Sequence, residues 1–185
     1  MRVLVTAASK HGSTAEMAEL IGSVLAGHGL DVRVSAPGDL DDPGDLDGYG
    51  AVVLGSAVYA GHWLGAALRF ADRHAAALAT RPVWLFSSGP IGDPPIPADD
   101  AVDVARVVAA VVPVEHRVIP GAMYRSRLGF AERALVAALR APYGDFRDWA
   151  AVRRWAHDIG AALTGTAGTG PTPPQAGSTV SGPGA

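Results

Sequence analysis

The 185-residue sequence predicts an α/β domain on one five-stranded parallel sheet, strand order 2-1-3-4-5, with helices on both faces. Three observations carry this expectation. Short apolar runs alternate with helical patterns along the chain, and such alternation calls for right-handed crossovers between parallel strands. One run, Ala51 to Ser56, is continuously apolar, as a strand covered on both faces must be. A short first loop then joins the opening strand directly to a helix, as this strand order expects.

The elements follow in order. Arg2 to Thr6 reads as a buried strand. Ser13-Thr14-Ala15-Glu16 has the spacing of a capping box, in which the first hydroxyl and the fourth carboxylate satisfy each other's backbone N–H groups. Met17, Leu20, Ile21, Val24 and Leu25 continue at i, i+3, i+4, i+7 and i+8 on one helix face, and Gly27 and Gly29 stop it. Val32 to Ser35 is a second strand, followed by an acidic Pro/Gly-rich loop from Pro37 to Gly50. After the Ala51–Ser56 strand, a helix is expected over about His62 to Ala79, then a strand Val83 to Ser87. A Pro-rich loop, Gly89 to Pro97, leads into a helix over about Asp99 to Val112, and Arg117 to Ile119 begins the fifth strand. Trp149 to Leu163 closes the domain, with Trp149, Val152, Ala156, Ile159 and Leu163 facing inward. The domain is expected to span residues 1–163. The segment 164–185 carries no charge and is Gly or Pro at 10 of its 22 positions, a composition expected to stay disordered.

Composition narrows the function. There is no cysteine, so disulfides, thiolate metal sites and thiol catalysis are excluded. No stretch of 18 apolar residues suggests a membrane span, and the start lacks a signal peptide's apolar stretch, so a cytoplasmic location is expected. A net charge of −3 gives no argument for nucleic acid. Of the 15 basic residues, 14 are Arg, and the single lysine, Lys10, falls in the first loop.

Ligands in such sheets lie beyond the carboxyl ends of the strands, so three loops carry the chemistry. In the first, Ser9-Lys10-His11-Gly12-Ser13-Thr14, a helix N-terminus offers free N–H groups, Gly12 allows close approach, and three hydroxyls complete a phosphate nest. Neither the P-loop pattern nor the dinucleotide pattern is present. A receiver-type phosphorylation site is excluded as well, because the strand ends read Thr6-Ala7 and Gly55-Ser56 rather than acidic. The second loop, with Ala57, Val58, Tyr59, Ala60, Gly61 and His62, supplies an apolar and aromatic wall for a flat ring. Trp63 beside it reads as core packing. The third, Ser87-Ser88-Gly89-Pro90-Ile91-Gly92, offers backbone donors to a ring's polar edge.

Together these loops resemble the flavodoxin family, and more closely its menaquinone-dependent protoporphyrinogen oxidases. Ser9 to Thr14 is similar to the family's phosphate loop, with a basic residue second as in the porphyrinogen enzymes. Val53-Leu54-Gly55-Ser56-Ala57 with Gly61-His62, Val118 to Met123, and Asp148-Trp149 resemble the third strand and its turn, the fifth strand, and the opening of the last helix. The resemblance implies a flavodoxin-like fold and FMN, its phosphate on Ser9 to Thr14 and its ring between the Tyr59 and Ser88 loops, with no protein acid or base needed for the redox step. It also implies a quinone or a redox partner protein as acceptor and a porphyrinogen as substrate. The insertion from Tyr124 to Arg147, with Arg125, Arg127, Arg133 and Arg140 around a short amphipathic helix, reads either as a lid for anionic substituents or an anionic membrane surface, or as a packed loop with solvated arginines. A carrier flavodoxin without its own substrate and a flavin-free interaction module remain the other readings.

Overall fold

The computed structural model describes residues 1–89, 91, 103–138 and 141–165. Its main sheet contains strands β1 (Arg2–Ala8), β2 (Asp31–Ser35), β3 (Ala51–Tyr59), β5 (Val83–Ser88) and β6 (Glu115–Ile119), all parallel, in the order β2-β1-β3-β5-β6. That is the order expected from the sequence, with one addition. Strand β4 (His62–Trp63) folds back antiparallel on the end of β3, pairing Val58 with Trp63 and Tyr59 with His62.

The period-2 alternation of the strands divides the core into two layers. Val3, Val5, Val53, Trp84 and Phe86 face helices α1 (Ser13–Gly27) and α6 (Trp149–Thr164). Leu4, Val52, Leu54 and Leu85 face α2 (Gly65–Arg73), α3 (Ala75–Leu78) and α4 (Val104–Val111). The side chain of Trp155 on α6, which the helical pattern read from the sequence passed over, is fully buried, lies edge-on to Phe86 and donates Nε1–H to Glu115 at 2.7 Å. Gly55 makes room for this pair: a Cβ there would come within 2.1 Å of the Phe86 ring.

Several expected elements are corrected. The helix over His62 to Ala79 begins only at Gly65, because the Ala60-Gly61 turn, both residues at positive φ, returns His62 and Trp63 to β3. It breaks again at His74, whose buried ring donates to the Leu40 carbonyl at 3.0 Å. The capping box does not form. Gly12 at φ 88° takes the N-cap position, the Ser13 hydroxyl accepts from Ala122 N–H, and Glu16 is drawn to two arginines. The acidic loop contains two 3₁₀ turns, Pro37–Asp39 and Pro43–Leu46, which bury Leu40 and Leu46 and serve as the crossover from β2 to β3. Helix α4 starts at Val104, and residues 99–102 of the expected helix lie outside the described residues. Helix α6 is capped by Asp148, which accepts from Ala151 N–H, and ends at Gly165 in the left-handed region. The rest of the tail expected to be disordered, residues 166–185, lies outside the described residues.

The insertion has its own structure. Strands β7 (Ala122–Met123) and β8 (Gly144–Asp145) pair antiparallel at its base, and between them lie a 3₁₀ turn at Arg125–Arg127 and helix α5 (Phe130–Ala138).

Gly55→Ala is expected to destabilise the fold by about 1–3 kcal/mol, the usual cost of overpacking, seen as a lower urea midpoint. Gly27→Ala, where a Cβ meets nothing within 4 Å, is expected to leave the midpoint unchanged or raise it slightly.

Candidate functional site

The carboxyl ends of β1, β3 and β5 open into a cavity of about 500 Å³. Its floor is the β1–α1 loop, where Gly12 in the left-handed region turns the chain so that the first turn of α1 faces inward. The first N–H groups of a helix have no intrahelical acceptor, and the helix dipole adds positive potential there. The hydroxyls are arranged for an external acceptor. Ser9 Oγ accepts from Gly12 N–H at 3.1 Å and Ser13 Oγ accepts from Ala122 N–H at 3.2 Å, so each keeps its own O–H to donate. Thr14, buried, lines the cavity beside them.

The sequence-predicted residues are placed as follows. Ser9, Lys10, His11, Ser13 and Thr14 line the cavity, and Gly12 forms its turn. Ala57, Val58, Tyr59, Ala60 and Gly61 form one wall; Ser88, Gly89 and Ile91 contribute another side. His62 is not among the lining residues: it is exposed and donates from Nδ1 to Asp103 at 3.0 Å. Ser87 is also absent from the lining. Its hydroxyl accepts from Trp63 Nε1–H at 2.8 Å and meets His116 Nε2 at 2.9 Å, beneath the hairpin. Pro90 and Gly92 lie outside the described residues.

Sequence reasoning missed a whole side of the cavity. Gly121, Ala122 and Met123 follow β6, and Leu128, Glu132, Val136 and Ala141 come from the insertion. Glu132 and Val136 fall at i and i+4 on α5, a helical spacing that marks one inward face, while Leu128 precedes the helix in extended backbone. Glu132 closes against the phosphate-loop side chains: its Oε1 accepts from Lys10 Nζ at 2.6 Å and from His11 Nε2 at 3.0 Å, while Oε2 accepts from Gly129 N–H. Hydrogen bonds from Lys10, Gly129 and His11 hold this carboxyl down at about 2. Burial, with Glu132 nearby, pushes the Tyr59 phenol up to about 12, so it stays protonated as a neutral wall.

Arg147 anchors the insertion to the loop. Its side chain is 2% exposed and all five of its N–H donors are used, two on Asp145, one on Glu16, one on the Ser13 carbonyl and one on the Tyr124 hydroxyl. The guanidinium lies 4.2 Å from the centre of the Trp149 ring. Arg127 adds a second tie, donating to the His11 carbonyl and to Glu16. The Arg147 hydrogen bonds hold the Asp145 carboxyl well below its usual range; for Glu16, burial acts upward but Arg147 and Arg127 outweigh it.

The donor set fits a phosphorylated planar cofactor: N–H groups and hydroxyl donors at one end, apolar walls, and a volume within the ordinary range for small-molecule sites. A flavodoxin domain family model matches residues 4–148. Among solved structures, a flavodoxin from the domain Archaea matches with a TM-score of 0.59 at 18% identity, over 89% of this chain and 99% of that one. The oxidised Flavodoxin 1 of Bacillus cereus matches at 0.57 and 14%, over 91% and 100%. Rubredoxin oxygen:oxidoreductase from the anaerobe Desulfovibrio gigas matches at 0.59 and 13%, over 89% of this chain but 36% of that larger one. At these identities the structures establish a common fold. No curated protein sequence matches significantly.

The Arg147 cluster has a pH signature. Both partner carboxylates have folded pKa values below their unfolded ones, so their contribution is present above about pH 4.5 and is lost as pH falls toward the folded values. Arg147→Met is expected to lower stability at pH 7 by about 2 kcal/mol, less than for a fully buried pair because both carboxylates can rehydrate. Chemical denaturation from pH 7 to pH 2.5 checks it: the gap between the two proteins narrows with acid.

Proposed function

The chain belongs to the flavodoxin domain family, and from that membership we propose that it is an FMN-dependent oxidoreductase whose substrate side is the insertion over the cofactor cavity. The family carries FMN and electron transfer with it. FMN, when bound, supplies exchange of one or two electrons, and the protein supplies orientation and tuning. Ser9, Ser13, Thr14 and the first N–H groups of α1 would hold its phosphate. Val58, Tyr59 and Met123 would enclose apolar surface and exclude water, and the Ser88–Gly89 segment would meet a polar edge.

One observation carries the enzyme reading. The insertion forms a wall of the cavity, and beside it stand exposed Arg125 and Arg133 with Phe130, which is 90% exposed. An exposed apolar ring on the same segment as two exposed arginines suits an apolar substrate bearing carboxylates. A porphyrinogen donor with a quinone acceptor is such a pairing, and it is what the resemblance to the porphyrinogen oxidases implies; the matched relatives do not address it. The acidic run Asp39 to Asp47 lies away from the cavity, since Asp41 pairs with Arg73 at the far end of α2. A carrier's acidic docking face at the cofactor is therefore not supplied by that loop. The carrier reading is favoured instead by the end-to-end match with whole flavodoxins.

Thr14→Glu is expected to weaken FMN binding by more than about tenfold, since a buried carboxylate would oppose the phosphate; Ser23→Glu, exposed on α1, is expected to leave it unchanged. Fluorescence titration checks both. The FMN-loaded protein is then assayed anaerobically with protoporphyrinogen and a menaquinone analogue. Turnover is expected, with KM raised by Arg125→Ala and Arg133→Ala. Absence of turnover, together with rapid electron exchange with a flavodoxin reductase, would establish the carrier instead.

A further inference from the structure

The lysine and the histidine of the β1–α1 loop already hold a carboxylate. Lys10 Nζ and His11 Nε2 converge on one oxygen, Glu132 Oε1, across more than 120 residues of chain. The other basic groups near the loop are committed elsewhere: Arg147 has no N–H left to give, and Arg127 is held by Glu16 and the His11 carbonyl. An arriving phosphate would therefore find the Lys10 ammonium already paired and His11 already hydrogen-bonded, with a carboxylate facing it. Nor does acid release this contact in the ordinary range, because the carboxyl stays ionised down to about pH 2. Exchange with another anion is the release that leaves Lys10 and His11 partnered.

We propose that Glu132 is a resident anion of the cofactor loop, which the phosphate of FMN displaces from Lys10 and His11, so that loading the cofactor unfastens helix α5 from the loop. This rests on FMN binding in the cavity and is independent of which partner exchanges electrons. Two consequences separate it from a purely structural ion pair. The penalty falls on the phosphate, so FMN is affected and riboflavin, which lacks the phosphate, is not. The helix also gains freedom on loading rather than losing it, the reverse of ordinary ordering by a ligand.

The test uses Glu132→Gln, which keeps an acceptor for Gly129 N–H while removing the charge, with thermal melting to establish that it folds. Apo-protein is titrated with FMN and with riboflavin, and hydrogen exchange is followed over residues 130–138. FMN affinity is expected to rise about five- to tenfold in the variant, with riboflavin affinity unchanged. Exchange in α5 is expected to quicken when the wild type binds FMN, and to be already fast in the free variant. Weaker or unchanged FMN binding by Glu132→Gln, an equal gain for riboflavin, or slower α5 exchange on loading would each overturn the proposal. Failure of the wild type to bind FMN at all would overturn the cofactor assignment with it, whereas failure of porphyrinogen turnover would leave it standing.

Discussion

A buried guanidinium is tolerable only when every one of its donors is met, and Arg147 meets that condition by drawing on three parts of the chain. Asp145 comes from the returning strand of the insertion, Tyr124 from its outgoing side, and Glu16 with the Ser13 carbonyl from the first turn of α1. The bidentate fork to Asp145 fixes the plane of the group, and the Trp149 ring covers one face. With the Arg127 tie and the β7–β8 pairing, this residue holds the insertion over the cavity. The wall made by Leu128, Val136 and Ala141 depends on it in turn.

Much of the sheet was legible because its signals are local. Ala51 to Ser56 has to be apolar on both sides to lie at the centre of a covered sheet, and no helix face has that pattern. The β1–α1 loop was legible as a cavity edge for a similar reason, since Ser9, Gly12, Ser13 and Thr14 come together there within six residues. Illegible features depend on distant partners. Glu16 matches a capping box in sequence, yet two arginines more than 100 residues away compete for its carboxylate and prevail. Ser87 looks like a cofactor contact in isolation, but the Trp63 indole and His116 claim its hydroxyl. His62 was read as part of a helix start, whereas the positive φ of Ala60 and Gly61 makes a hairpin that points it toward Asp103.

Charge is distributed to match this geometry. The sole lysine sits on the cofactor loop, its ammonium 5.1 Å from the centre of the Tyr59 ring, so one flexible cation contacts both walls of the cavity. The acids of the β2–β3 crossover are remote, tied through Asp41 to Arg73. Within the cavity, the lysine is paired by Glu132 from the insertion side, while the molecule as a whole is mildly acidic.

The two rims of the sheet have a consequence of their own. Among the described residues, strands β2 and β6 are the outermost, and each leaves a row of backbone groups without a neighbouring strand. Such rims invite fibrous stacking unless something obstructs it. On β2, Asp31 and Arg33 project as charged obstacles, and on β6 the Arg117–Glu115 ion pair does the same. Self-association through strand addition is therefore discouraged at both borders.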